Sequence, residues 1–237
     1  MATNQSRLQS IVKTHATNQT FREEFQHFHL SVQQKLWSVD YFRERIKELE
    51  PEVLYKPKGS QENILMVDQY QDKEWFGLYA NLILDGFLMN TMAALDTLAH
   101  EIKLLYTFPP LRPRIYIHTI EQKLTSHHPS KSLTTYLSTE LARPWFNTLS
   151  EYRHCTTHES LVGSNVRADA ALITGHIQQA IITLPDDPRN RPFTYRRNRE
   201  LKSYCAKTRK GVTDLVRHSY YCILQDIRAA HNNLPIP

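Results

Sequence analysis

The sequence predicts a mainly α-helical protein, an antiparallel helical bundle with one irregular basic excursion, on three observations. The 237-residue chain holds only 6 glycines, too few for most barrels, sandwiches or Gly-rich phosphate loops. Long stretches between its prolines carry helix-compatible residues. Through them apolar residues recur at steps of three and four, the period of a helix with one buried face. At 41% apolar the chain can bury one domain's core. Residues 1–60 then read as an N-terminal helical extension and 61–237 as the main domain, or the two as a single domain.

The elements follow in order. Residues 17–50 set Phe21, Phe25, Phe28, Val32, Leu36 and Val39 at helical spacing, and Glu50-Pro51 ends the pattern. Pro51, Pro57 and Gly59 make 51–61 a loop, and Ile64–Tyr70 reads as a short extended link. From Asp72 to Thr107 there is no proline, and Trp75, Leu78, Leu82, Leu88, Met92, Leu95, Leu98, Ile102 and Leu105 sustain the strongest helical pattern of the chain. Phe108-Pro109-Pro110 stops it, and Ile115–Leu124 should return antiparallel to it. Ser132–Ala142 is a further helix. Pro144 either kinks it or opens a new one carrying Trp145, Leu149 and Tyr152. Gly163, Gly175, Pro185, Pro188 and Pro192 break up residues 163–197, where Ile177–Leu184 and Phe193–Tyr195 can pair as a β-hairpin around Pro185–Pro188. Asn198–Ala230 reads as the last helix.

Charge and cysteines narrow the partners. The net charge is +5, but Arg189–Arg217 alone holds ten basic residues against two acidic ones, a local +8. A basic segment of this density suits a polyanion. Cys155, Cys205 and Cys222 are odd in number and lack CxxC spacing, which argues against a disulfide framework and a cysteine-rich zinc module. No apolar run is read as reaching the roughly 20 residues that span a bilayer, and the start Met1–Gln5 is polar. The expectation is a cytoplasmic protein with no membrane partner.

Glu151-Tyr152-Arg153-His154-Cys155-Thr156-Thr157-His158-Glu159 packs an arginine, two histidines and two carboxylates directly after an apolar helix. A guanidinium can hold a phosphate through its planar donor fork, and an imidazole exchanges protons near neutral pH. Together they suffice to cleave RNA. A base takes the ribose 2′-hydroxyl proton, the oxygen attacks the adjacent phosphorus, and cations offset the developing charge, with neither metal nor cofactor required. Arg22 and His27 repeat the Arg-x4-His interval, but inside an ordinary amphipathic pattern and with Glu23, not a histidine, after the arginine.

Arg153-His154-x3-His158 resembles the Arg-polar-x3-His signature of the HEPN superfamily of helical nucleases and RNA-binding proteins. The stretch Asn90–Leu98 is similar to that family's first core helix, so the resemblance covers about residues 72–160. It implies phosphate handling by Arg153, proton transfer by His158 and an orienting role for His154. It also implies a homodimer with a composite cleft, and a role in toxin–antitoxin control or defence against phage, with an antitoxin or regulatory protein as partner. The chain departs at Ser160, where one subgroup carries a tyrosine that is nucleotidylated. Geometry adds a demand of its own: residues five apart lie about 140° around a straight helix, so Arg153 and His158 share a site only if the helix ends or bends, or a second subunit completes it.

Two other readings stay open. His154 and His158 at i, i+4 can chelate zinc with Cys155 or Glu159 adjacent and a third ligand from His127, His128 or His100. Alternatively the chain is a non-catalytic helical module that binds RNA or a protein through 189–217. In that segment Arg189, Arg191, Arg196, Arg197, Arg199 and Lys202, interleaved with Phe193, Tyr195 and Tyr204, would follow phosphates and stack on unpaired bases.

Overall fold

The computed structural model describes residues 3–16, 18–49, 73–106, 108–109, 115–158, 162–170 and 177–230. Among these the fold is all-α apart from one small sheet. In chain order the elements are α1 (Asn4–His15), α2 (Gln19–Glu48), α3 (Lys73–Leu105), α4 (Ile117–His127), α5 (Ser132–Leu141), α6 (Pro144–His158), β1 (Asn165–Ala170), β2 (Ile177–Leu184), β3 (Arg199–Glu200) and α7 (Leu201–Ala229). The predicted loop 51–61 and link 64–70 lie outside the described residues.

Three points refine the expectations. The first is where the helices begin: α1 precedes residue 17, where the helical pattern is read to start, because only Leu8 and Val12 mark its buried face within a polar run. Its start is nonetheless specified: the Thr3 side chain accepts from the Ser6 N–H at 3.2 Å, satisfying a donor the helix itself cannot. The second concerns the hairpin. Ile177–Leu184 is a strand, but it pairs antiparallel with Asn165–Ala170 and with Arg199–Glu200, not with Phe193–Tyr195. The Thr194 carbonyl and the Arg196 and Arg197 N–H groups bond Asp186 instead. The third is the apolar run. Leu78–Leu105 within α3 is long and apolar enough, by length and composition, to cross a membrane, with 56% of its most apolar window buried. Asn81, Asp85 and Asn90 dot this run without lowering its average far, and the buried core helix of a folded domain has the same composition.

Pro144 opens a helix rather than kinking one. Its missing N–H falls in the first turn, where no intrahelical acceptor exists, and Phe146 N–H bonds back to the Arg143 carbonyl at 3.1 Å.

The chain divides into two compact units, the first comprising Met1–Ser38, Asn90–Thr148 and Arg209–Pro237, the second Val39–Met89 and Leu149–Thr208. In the first unit Leu8, Phe25, Val32, Leu95, Leu98, Phe146 and Ile223 are buried. Each such side chain contributes about 1.5–3 kcal/mol. Two carboxylates organise this unit. Asp226 accepts from the Ser132 and Leu133 N–H groups at 2.8 and 3.2 Å, capping α5, and from the Tyr106 hydroxyl at 2.7 Å. Glu101 joins His29 Nδ1 at 2.7 Å and accepts from the Tyr220 hydroxyl at 2.8 Å, with neither His29 nor Glu101 exposed at all. Gly211 is required for a close approach: a Cβ there would lie 2.7–2.9 Å from the Trp145 ring. That ring is fixed by its Nε1 donating to Glu140 at 3.0 Å. Gly211→Ala, which in an open helix would gain about 0.5–1 kcal/mol, is therefore expected to cost about 1–3 kcal/mol by overpacking, measurable as a lower urea midpoint.

In the second unit Ile46, Leu84, Phe87, Leu88, Tyr152, Leu184 and Cys205 are buried. All three cysteines are buried and none forms a disulfide, and burial pushes the Cys205 thiol well above its usual pKa.

Candidate nucleic-acid interface

The sequence motif and the basic segment meet in the second unit, where the end of α6 carries a built loop of residues 185–198. Tyr152 is the anchor. Its buried hydroxyl donates to the Pro185 carbonyl at 2.5 Å and accepts from Arg199 Nη1, whose guanidinium also lies over the Tyr152 ring at 5.4 Å. Burial, only partly offset by Arg199, pushes the Tyr152 pKa up to about 12, so the phenol keeps its donor proton at neutral pH. One turn further along α6, Cys155 Sγ donates to the Pro188 carbonyl at 3.3 Å.

Asp186 then shapes the loop. Its carboxylate accepts from the Arg196 and Arg197 N–H groups and the Thr194 hydroxyl, each at 2.8 Å, while its own N–H bonds the Thr194 carbonyl at 2.7 Å. Asn198 closes the turn at a φ of 46°, a conformation asparagine tolerates better than most residues. Desolvation pushes the Asp186 pKa up, but the Arg197 N–H, the Thr194 hydroxyl and the Arg196 N–H outweigh it, leaving the carboxyl below its usual 3.8. A depressed folded pKa means that this latch is complete above the usual value and is lost only as pH falls through the lower folded one. It is intact at neutral pH. Asp186→Ala is expected to release the loop, with Arg196 and Arg197 amides exchanging as fast as those of exposed loops while core amides stay protected.

The loop presents its cations unequally. Arg189, Arg191, Arg196 and Arg197 are exposed, whereas Arg199, held on Tyr152, and Lys202 are half-buried. The Arg191 guanidinium stacks 5.2 Å from the Phe193 ring centroid. Phe193 in turn fits against Gly163, where a Cβ would come within 2.5 Å of the ring, and the Tyr195 hydroxyl donates to the Gly163 carbonyl at 3.4 Å. Arg209, Lys210 and Arg217 belong to the first unit, and Lys210 is paired there with Asp214 at 2.6 Å.

The structure separates the motif's arginine from its last histidine. α6 runs unbroken through His158, so Arg153 and His158 sit about 140° apart around the helix. Arg153 is half-buried, with its Nε buried and without a hydrogen-bond partner, and its carbonyl accepts from the Thr156 and Thr157 hydroxyls. Thr157 also reaches Met89 Sδ at 3.5 Å. His154 and His158, by contrast, are exposed and come together, ring centroids 4.9 Å apart. Glu151, His154 and His158, at i, i+3 and i+7, share one face, and Arg189 Nη2 stands 3.8 Å from Glu151 Oε1. Both partners of that pair are about half exposed, so the pairing is worth about 0–1 kcal/mol and leaves the guanidinium available.

For the zinc reading, His100, His127 and His128 all belong to the first unit, and Glu159 lies outside the described residues. Among the described residues no group of three or more His, Cys, Asp or Glu side chains is placed to hold a metal. Sequence reasoning missed Tyr152 and Asp186 as the residues that build the site. Tyr152 read as one more apolar helix position, and Asp186 as part of a Pro-Asp-Asp-Pro turn. An aspartate in such a turn is a recognised captor of backbone N–H groups. The chain matches no family model, no curated protein and no solved structure.

Proposed function

We propose that this protein binds single-stranded RNA through the loop of residues 186–197, with Arg189, Arg191, Arg196 and Arg197 following the phosphates. The observation that carries this reading is the Asp186 latch. It holds successive arginine amides inward, so that a polyanion meets a preformed cationic surface and little ordering cost remains to be met on binding. Phe193 and Tyr195, half-buried beside these arginines, give unpaired bases ring and guanidinium planes to stack on. This favours single-stranded RNA, whose every unpaired base offers a face to stack, over a partner that offers carboxylates alone. The reading places the protein in the cytoplasm, in contact with RNA.

Cleavage by Arg153 and His158, which the HEPN resemblance implies together with a toxin or defence role, would need a homodimer, because within one chain the two residues occupy different faces of α6. The binding reading is tested by fluorescence anisotropy with a labelled oligouridine. The Arg196→Ala/Arg197→Ala variant should bind at least roughly tenfold more weakly, since each guanidinium–phosphate contact is charge-assisted. Unchanged RNA affinity, or a preference for an acidic peptide, would move the proposal to a protein partner.

A further inference from the structure

The corner between α1 and α2, wholly within the first unit, holds a cavity of about 240 Å³ that shares no residue with the loop of residues 186–197. Its apolar lining is Val12 and Phe25, only 2% and 1% exposed. Its charged lining is two cations, Lys13 and Arg22, against one carboxylate, Glu23, a net +1. Arg22 is the informative residue. Its Nη2 donates to Gln19 Oε1 at 2.7 Å, and Gln19 Nε2 donates in turn to Glu23 Oε1 at 2.6 Å. The acceptor that the guanidinium holds is therefore a neutral amide, which also occupies the neighbouring carboxylate. The Arg22 Nε is buried and has no hydrogen-bond partner, leaving a buried donor in want of an acceptor. Helix electrostatics do not account for the cation either. Arg22 falls in the first turn of α2, where the dipole favours negative charge, and no acidic residue stands in that turn.

We infer that this corner binds a small organic anion, with Arg22 and Lys13 meeting its acid group and Val12 and Phe25 its apolar part. The amides of Gln9 and Gln26, which also line the cavity, serve its remaining polar atoms. Size and charge set the class. Sites for drug-sized ligands run to about 300–1,000 Å³, so this smaller space suits a compact molecule that joins one acid group to a single ring or short chain, rather than a polymer. The planar donor fork of a guanidinium takes a carboxylate or a phosphate monoester equally well, and the experiment separates the two. A bound acid group gains from the α2 dipole that Arg22 alone opposes. The inference does not depend on RNA being the ligand of the loop, because the two surfaces have no residue in common.

The test titrates the full chain with benzoate and with phenyl phosphate, and with benzyl alcohol and benzylamine as neutral and cationic controls, following backbone amide shifts by NMR. At least one anion should shift the amides of residues 9–13 and 19–26 saturably while the controls do not, and the anion that does so identifies the acid group as carboxylate or phosphate. Arg22→Gln should weaken that binding by about tenfold or more, the scale of a charge-assisted hydrogen bond, and Lys13→Gln, at an exposed position, by a smaller factor. Glu23→Gln should strengthen it by roughly two- to fivefold, a gain that a folding defect cannot imitate. Saturable shifts confined to residues 186–197 would overturn the inference and assign the anion to the loop. Equal shifts of residues 9–26 by benzyl alcohol would also overturn it, by showing a cavity that takes rings without regard to charge. So would the lack of any saturable shift there with either anion.

Discussion

Glu101→Ala is expected to destabilise the protein by about 3–5 kcal/mol, the scale for removing one partner of a buried polar pair. His29 and Glu101 are both fully buried, and Tyr220, 1% exposed, donates to the second carboxylate oxygen. Burial first, and the neighbouring Glu101 second, raise the Tyr220 pKa well above its usual value, so the phenol remains a donor in need of an acceptor. Deleting the carboxylate removes the acceptor of both partners inside a core that also stacks Phe25 on His29 at 5.2 Å. Glu101→Gln should lose less, because an amide still accepts from Tyr220 and keeps a hydrogen-bonding group against His29 Nδ1. Urea denaturation of the three proteins checks the order wild type, Gln, Ala; an Ala variant as stable as the Gln variant would mean that the pair contributes only its packing.

Tyr152→Ala should cost a similar amount, about 3–5 kcal/mol, because a fully buried ring leaves a cavity, here beside Tyr204, whose ring packs edge-on at 5.2 Å. Tyr152→Phe separates packing from anchoring. It keeps the ring and removes the hydroxyl, leaving the Pro185 carbonyl without its donor and Arg199 without its acceptor, at about 1–3 kcal/mol. Its more telling effect falls on the loop: RNA affinity should drop although no arginine has changed. Affinity equal to wild type in Tyr152→Phe would show that the loop keeps its shape without the anchor.

The helices were legible because their information is local. Leu95, Leu98 and Ile102, or Leu215, Ile223 and their neighbours on α7, repeat at helical spacing in one run of chain, and Pro144 marks a helix start by what it lacks. What stayed hidden depends on contacts distant in sequence. The partner of β2 is decided by where Asp186 holds residues 194–197, and the cap of α5 comes from Asp226, 94 residues beyond Ser132. The candidate site divides the same way. The cluster of polar residues from Glu151 to His158 and the arginines of the loop stand out in the sequence, and the i, i+4 spacing of His154 and His158 puts them side by side. Whether α6 ends or bends between Arg153 and His158 does not follow from those six residues. Nor does the approach of Arg189 to Glu151, two residues 38 positions apart by number that only the Tyr152 and Cys155 anchors bring together.

The salt dependence of RNA binding tests the central claim most directly. Anisotropy titrations with labelled oligouridine across a range of salt concentrations should give a linear fall of log affinity with log salt. In the variant lacking Arg189, Arg191, Arg196 and Arg197 the slope should shrink by about 0.7 for each phosphate contact removed, with the stability of the protein unchanged. Parallel slopes for the two proteins would show that RNA, if bound, is held by another surface, and would contradict the account.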